Sequence, residues 1–166
     1  MKYHSLDATL VAAVTRESSQ LVTDENVKLY IYLDPRGHPT FGIGSFITKD
    51  MQEYGMEVGT PVSRHRVFEA FYRELDDVAA DLKAVYGNQF LNFPTQVQLV
   101  SVNMMYHLGR PRYLKFVRMV RAIKREDWYN MKVEMIDSRW YKNFNLRATR
   151  LIKRIEPLID KPHIQT

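Results

Sequence analysis

The sequence predicts an α+β fold, a mostly helical lobe with a small three-stranded β lobe, and three observations carry this. After residue 26, short runs of β-forming residues alternate with tight turns. From Ser63 onward, apolar residues return at helical spacing for most of the remaining chain. The stretch before residue 22 shows the same helical spacing, so both ends of the chain are expected to build the helical lobe. No flexible linker or low-complexity tract interrupts the 166 residues. One domain is therefore expected over residues 1–166, with the β lobe at about 26–62 and the helical lobe at about 1–25 and 63–166.

The elements follow in order. Asp7 to Leu21 reads as a helix, because Leu10, Val11, Val14 and Leu21 share a face and Asp7 is a suitable cap. Leu29-Tyr30-Ile31-Tyr32 is a strand by residue type. In Asp34-Pro35-Arg36-Gly37, proline presets φ and glycine closes a turn. Thr40 to Gly44 alternates as a second strand, and Ser45 to Thr48 adds a short third, completing a hairpin or meander. Val67, Phe71, Leu75, Val78 and Leu82 form one apolar stripe of a long helix. Pro94 opens the next helix and Gly109 stops it. Tyr113–Lys124, Trp128–Ile136 and Leu146–Ile155 complete the helical set.

Composition narrows the function classes. Lys and Arg outnumber Asp and Glu by 24 to 19, so an anionic partner is favoured: nucleic acid, anionic membrane and cell wall all qualify. The chain has no cysteine, which excludes disulfides and thiol chemistry and removes the usual zinc ligands. No metal and no cofactor is expected. The apolar stretch Leu10 to Val14 is too short for a bilayer span or a signal-peptide core, so synthesis and folding in a cytoplasm are expected. Arg118, Arg121, Lys124 and Arg125 make a basic helix, ordinarily a solvated face. The sequence carries no recognition-helix turn, zinc spacing or aromatic RNA-binding signature, and no nucleic-acid partner is expected.

Two carboxylates stand out by position. Glu25 lies where the first helix gives way to the sheet, and Asp34 opens the hairpin turn nine residues later. Glycoside hydrolysis uses such a pair, a protonated acid for the leaving oxygen and a carboxylate facing the anomeric carbon or its water. By residue type alone, an Asp before Pro is a turn residue and a Glu near a helix end is solvated.

The segment Glu25-Asn26-Val27-Lys28-Leu29-Tyr30-Ile31-Tyr32-Leu33-Asp34, five residues, then Thr40-Phe41-Gly42-Ile43-Gly44, resembles the active-site signature of the bacteriophage T4-type lysozymes, glycoside hydrolase family 24. Two further blocks resemble that family in the same order: Asn103 to Gly109, and Ser138-Arg139-Trp140-Tyr141 followed by Arg147-Ala148-Thr149-Arg150. The resemblance spans about residues 10–155. It implies a lysozyme-like fold with the active-site cleft between the lobes. It implies an endolysin, a muramidase cutting the β-1,4 bond between N-acetylmuramic acid and N-acetylglucosamine in peptidoglycan, with inversion. The alternatives are a virion-associated tail or baseplate lysozyme and, from another class, a basic nucleic-acid-binding protein.

The same resemblance assigns roles. Glu25 is implied as the general acid, Asp34 as the carboxylate that stabilises positive charge or activates water, and Thr40 as the residue holding that water. Arg147 would pair with Glu25, with Trp140 packed beside it. Phe46, Tyr106, His107 and Arg147 are the implied substrate-binding residues. The implied partners are peptidoglycan glycan strands and a holin or virion delivery, with the enzyme a monomer made in the host cytoplasm and acting on the cell wall. Three departures accompany the likeness. Ser45 stands where the family has His, removing an ion pair. Only 18 residues separate Gly44 from Ser63, so a helix of the small lobe is expected to be largely lost. Tyr106 and His107 stand where the family commonly has Phe and Gln.

Overall fold

A computed structural model describes residues 8–159, and the cap predicted at Asp7 lies outside them. The order is α1 (Ala8–Glu25), β1 (Lys28–Leu33), β2 (Pro39–Gly42), β3 (Ser45–Phe46), α2 (Arg64–Tyr86), a 3-10 turn over Gly87–Asn92, α3 (Thr95–Tyr113), α4 (Val117–Lys124), α5 (Trp128–Ile136), α6 (Arg139–Asn143) and α7 (Asn145–Ile159). The fold is α+β with a three-stranded antiparallel sheet in the order β1-β2-β3. The chain forms two compact units, one ending at Ala80 and one beginning at Asp81. No helix among the described residues is long and apolar enough to cross a membrane.

In the first unit, α1 continues one turn past its predicted end at Leu21. Gln20 Nε2 donates to Asp24 Oδ1 across that turn, and the helix closes at Asn26, whose φ of 56° is left-handed. The hairpin turn forms at Asp34–Gly37 as its sequence demands, with the Gly37 amide donating to the Asp34 carbonyl. The second strand is shorter than predicted. Gly42 and Gly44 both take positive φ, so Ile43-Gly44 is the turn into β3 rather than strand. The third strand also stops early: the Ile47 amide still donates to the Pro39 carbonyl, but Pro39 has no amide to return the bond and the chain then turns.

Between β3 and α2 there is no helix, as the short spacing predicted, only turns. These return to the open edge of β1: Tyr30 bridges Pro61, and the Ile31 and Val62 amides donate to the Thr60 and Leu29 carbonyls. Pro61 offers no amide, so the added edge does not invite a further strand. The apolar stripe of α2 is buried throughout. Val67 on that stripe fills the space over Gly42. Ser45 is fully buried and its hydroxyl donates to Glu74 Oε2 at 3.0 Å. A neutral donor thus holds β3 to α2. Nearby, Arg66 donates through Nε and Nη2 to both oxygens of the buried Glu53, at 2.6 and 3.0 Å.

In the second unit, Pro94 caps α3 and Gly109 breaks it (φ 71°, ψ 159°), after which one more turn carries the chain to Tyr113. Tyr113 therefore belongs to α3, and α4 starts only at Val117 because Phe116 (ψ 55°) interrupts the helix. Asp127 caps α5 by accepting from the Asn130 amide, and Ser138 caps α6 from the Tyr141 amide. Helix α6 and the 3-10 turn have no counterpart among the predicted elements. Tyr86, Phe90 and Phe93 cluster, and the Tyr86 and Tyr113 hydroxyls share a buried hydrogen bond of 2.6 Å.

Removing Arg66 would leave the Glu53 carboxylate, 3% exposed, without its bidentate partner. Arg66→Ala should lower unfolding free energy by about 3–5 kcal/mol in urea titrations. Arg66 also holds the Glu53 carboxyl below its ordinary pKa. A depressed folded pKa contributes stability that is present above the unfolded value and lost as pH falls through the folded one. Acid unfolding should therefore show a component below about pH 4.3 that Arg66→Ala abolishes.

Candidate active site

Glu25, Asp34, Thr40 and Phe46 all belong to the first unit. Glu25 is the last residue of α1 and is half-buried. Its carboxylate lies against the backbone of the β2–β3 turn: a Cβ built on Gly44 would stand 2.7 Å from Glu25 Oε2 and 3.1 Å from Cδ. Gly44 is required twice over, by this approach and by its φ of 70°.

Asp34 does the work of a turn residue and is held rigidly by it. Its Oδ1 accepts from the backbone amides of Arg36 (2.9 Å) and His38 (2.8 Å), and its Oδ2 lies 3.6 Å from His38 Nδ1. The side chain remains 26% exposed, so the carboxylate is oriented without being enclosed. Thr40 is buried on β2, and its hydroxyl donates to the His38 carbonyl at 2.9 Å. The proton is thus committed, and the oxygen keeps lone pairs able to accept from a water. Phe46 is half exposed, and its ring meets His38 edge-on at 5.3 Å.

One residue ties these groups together whose sequence signal is only that of a β-former. Tyr32 pairs across the strands with Thr40, and Thr40 pairs with Phe46. Directly opposed residues of antiparallel strands share a face, so the three stand in one row. Burial first, then the charges of Glu25 and of Asp34, push the Tyr32 phenol up to about 12, against the pull of a hydrogen bond from the Gly44 backbone. Both signature carboxylates are therefore close enough to act on one phenol. Lys28 places its ammonium 3.9 Å from the Tyr32 ring centroid. The available signal was position: Lys28 and Tyr32 both fall between Glu25 and Asp34, four residues apart.

The remaining predicted residues belong to the second unit. Tyr106 and His107 are half-buried on α3. Trp140, 5% exposed on α6, donates from Nε1 to His107 Nδ1 at 3.0 Å, and the His107 ring stands edge-on to Phe144 at 4.4 Å. Because Nδ1 accepts, the neutral imidazole carries its proton on Nε2. Arg147 on α7 donates from Nε to Oδ1 of the fully buried Asn103 at 2.8 Å. Asn103 carries no sequence signal beyond its motif block; its role is to fix the Arg147 guanidinium. Among the described residues, no group of three or more His, Asp or Glu is gathered as a metal site would need.

The Gly44 contact makes a measurable difference between two glycines of the same backbone class. Gly37 also has positive φ (81°), but a Cβ added there would meet nothing within 4 Å. Gly37→Ala should cost only the left-handed backbone penalty, about 1–2 kcal/mol. Gly44→Ala should cost more, and should shift the carboxyl carbon resonance of Glu25 in NMR spectra. Equal melting of the two variants would contradict the packed arrangement.

No protein-family model matches the chain. It is 29% identical over 151 residues to the pre-baseplate central spike protein Gp5 of Enterobacteria phage T4, an alignment covering 81% of this chain and 26% of that protein. The chain thus spans about a quarter of the spike protein's length. Two proteins of Dictyostelium discoideum match along nearly their whole length. Probable T4-type lysozyme 1 is 25% identical over 163 residues, and Probable T4-type lysozyme 2 is 24% identical over 165. Each alignment covers 86% of this chain and 95% of the relative. Across most of its length, the chain is similar to proteins named as T4-type lysozymes and has an α+β, lysozyme-like fold.

Proposed function

We propose that this protein is a glycoside hydrolase, a muramidase that cleaves the β-1,4 bond between N-acetylmuramic acid and N-acetylglucosamine in peptidoglycan. The observation that carries the proposal is the placement of Glu25 against the Gly44 backbone of a sheet whose first hairpin turn holds Asp34 and whose second strand holds Thr40. The similarity to proteins named as lysozymes supports the same class. Glu25 serves as the acid that protonates the leaving oxygen. Asp34, oriented by two backbone amides, supplies negative charge to an oxocarbenium-like centre or draws a proton from water. Thr40 accepts a hydrogen bond from that water. Phe46, Tyr106, His107 and Arg147 are assigned to glycan binding, with the Arg147 guanidinium steadied by Asn103.

The biological setting has two versions. Lysis of the host from within, aided by a holin, is the first. The second is a virion-borne enzyme for entry, and the likeness to a phage baseplate spike protein favours keeping it beside the first. Both use the protein as a monomer without a cofactor. Mass spectrometry of purified phage particles separates them, since only the second puts the chain in the virion.

Turnover on purified peptidoglycan tests the chemistry. Glu25→Gln should lower it by about a hundredfold to ten-thousandfold, the usual worth of general-acid help, with melting unchanged. Asp34→Asn should be severely impaired as well. A fully active Glu25→Gln enzyme would exclude Glu25 as the acid. Muramic acid at the new reducing ends identifies a muramidase, whereas anhydro ends would identify a lytic transglycosylase. NMR in the first minutes should show the α-anomer, because inversion of a β-linked glycan produces it.

Arg147→Ala should lower both activity and melting temperature, because it removes a cation assigned to glycan binding and a donor to the buried Asn103 amide oxygen. Wild-type behaviour on both measures would remove Arg147 from the proposed site.

A further inference from the structure

Charge is unevenly divided along this chain. Residues 81–159 hold fifteen Lys and Arg against six Asp and Glu, whereas residues 8–80 hold seven against eleven. The second unit is therefore at net +9 while the first is at −4. Within the second unit, α4 concentrates the charge. Arg118, Arg121 and Lys124 recur every three residues on its exposed side, and the exposed Arg125 follows. Its other side buries Met119, Val120, Ala122 and Ile123. Among the described residues, Arg118, Arg121 and Lys124 form no ion pair.

A merely solvated basic helix needs nothing apolar on its outer side. Here Val117, 56% exposed, stands one turn before Arg121, and Leu114, 41% exposed, lies in the turn that leads into α4. Tyr129, 62% exposed, lies on α5, which packs against α4. Cations interleaved with exposed apolar side chains match a bilayer boundary, where ammonium and guanidinium groups reach lipid phosphates and apolar groups enter the acyl margin. A nucleic-acid backbone would use the cations but gives aliphatic groups no comparable partner.

We propose that the exposed face of α4 docks this protein on an anionic phospholipid surface. The contact is peripheral, because the apolar side of α4 is already committed to the core. It does not depend on the hydrolase reading, since none of its residues is assigned to that site.

Flotation of the full chain with vesicles, at physiological salt, tests the proposal. The chain should float with vesicles of phosphatidylglycerol and phosphatidylcholine in equal parts, and stay behind with phosphatidylcholine alone. Replacing Arg118, Arg121 and Lys124 together by Gln should weaken the partition by about a hundredfold. Val117→Asn alone should weaken vesicle binding severalfold while leaving retention on random-sequence duplex DNA unchanged. Melting curves of these surface variants should match the parent. Equal flotation on both vesicle types would overturn the proposal, as would a triple variant that binds like the parent. A Val117→Asn chain with undiminished vesicle binding, or tighter binding to the duplex than to the vesicles, would replace it with a purely electrostatic polyanion contact.

Discussion

The carboxylate of Glu25 rests on the Gly44 backbone, within a distance that no Cβ could share. Much of the first unit's local geometry is tied to that contact. Helix α1 must extend to residue 25 to deliver the side chain, and Asn26 must then leave the helix in a left-handed conformation for β1 to begin. The turn holding Gly44 must sit between two short strands, which Gly42 and Gly44 make possible by their positive φ. The turn at the other end of β2 carries Asp34, anchored by two backbone amides. A helix end and a sheet turn thus bring two carboxylates to bear on one phenol, that of Tyr32.

The sheet and most helices were legible because each rests on local chemistry. Asp34-Pro35-Arg36-Gly37 is a turn from its own residues, and the stripe from Val67 to Leu82 is buried as its spacing required. Boundaries were less legible, and for identifiable reasons. The extra turn of α1 depends on Gln20 meeting Asp24, and the late start of α4 depends on the backbone of Phe116. Neither has a periodic signature. Helix α6 is five residues long, too short for periodicity to register, although Ser138 is an ordinary cap.

Within the candidate site, the residues of the Glu25–Asp34–Thr40 signature could be found from spacing, but their supports could not. Tyr32 looks like any strand tyrosine until its pairing with Thr40 is known. Asn103 becomes interpretable only once α3 and α7 are neighbours and its side chain meets Arg147. The same holds for Arg66 and Glu53, and for the buried hydroxyl pair of Tyr86 and Tyr113, whose partners lie 13 and 27 residues apart. Long-range polar pairs require knowledge of which surfaces meet, and the sequence pattern records only which surfaces are apolar.

Ser45 illustrates how a small substitution changes the character of a joint rather than removing it. An imidazole at this place would hold Glu74 as a cation below its titration range and as a neutral donor above it. The serine hydroxyl has no such transition, so its bond to Glu74 is made by the same chemical species on both sides of neutrality. This joint therefore contributes no histidine titration to the behaviour of the sheet.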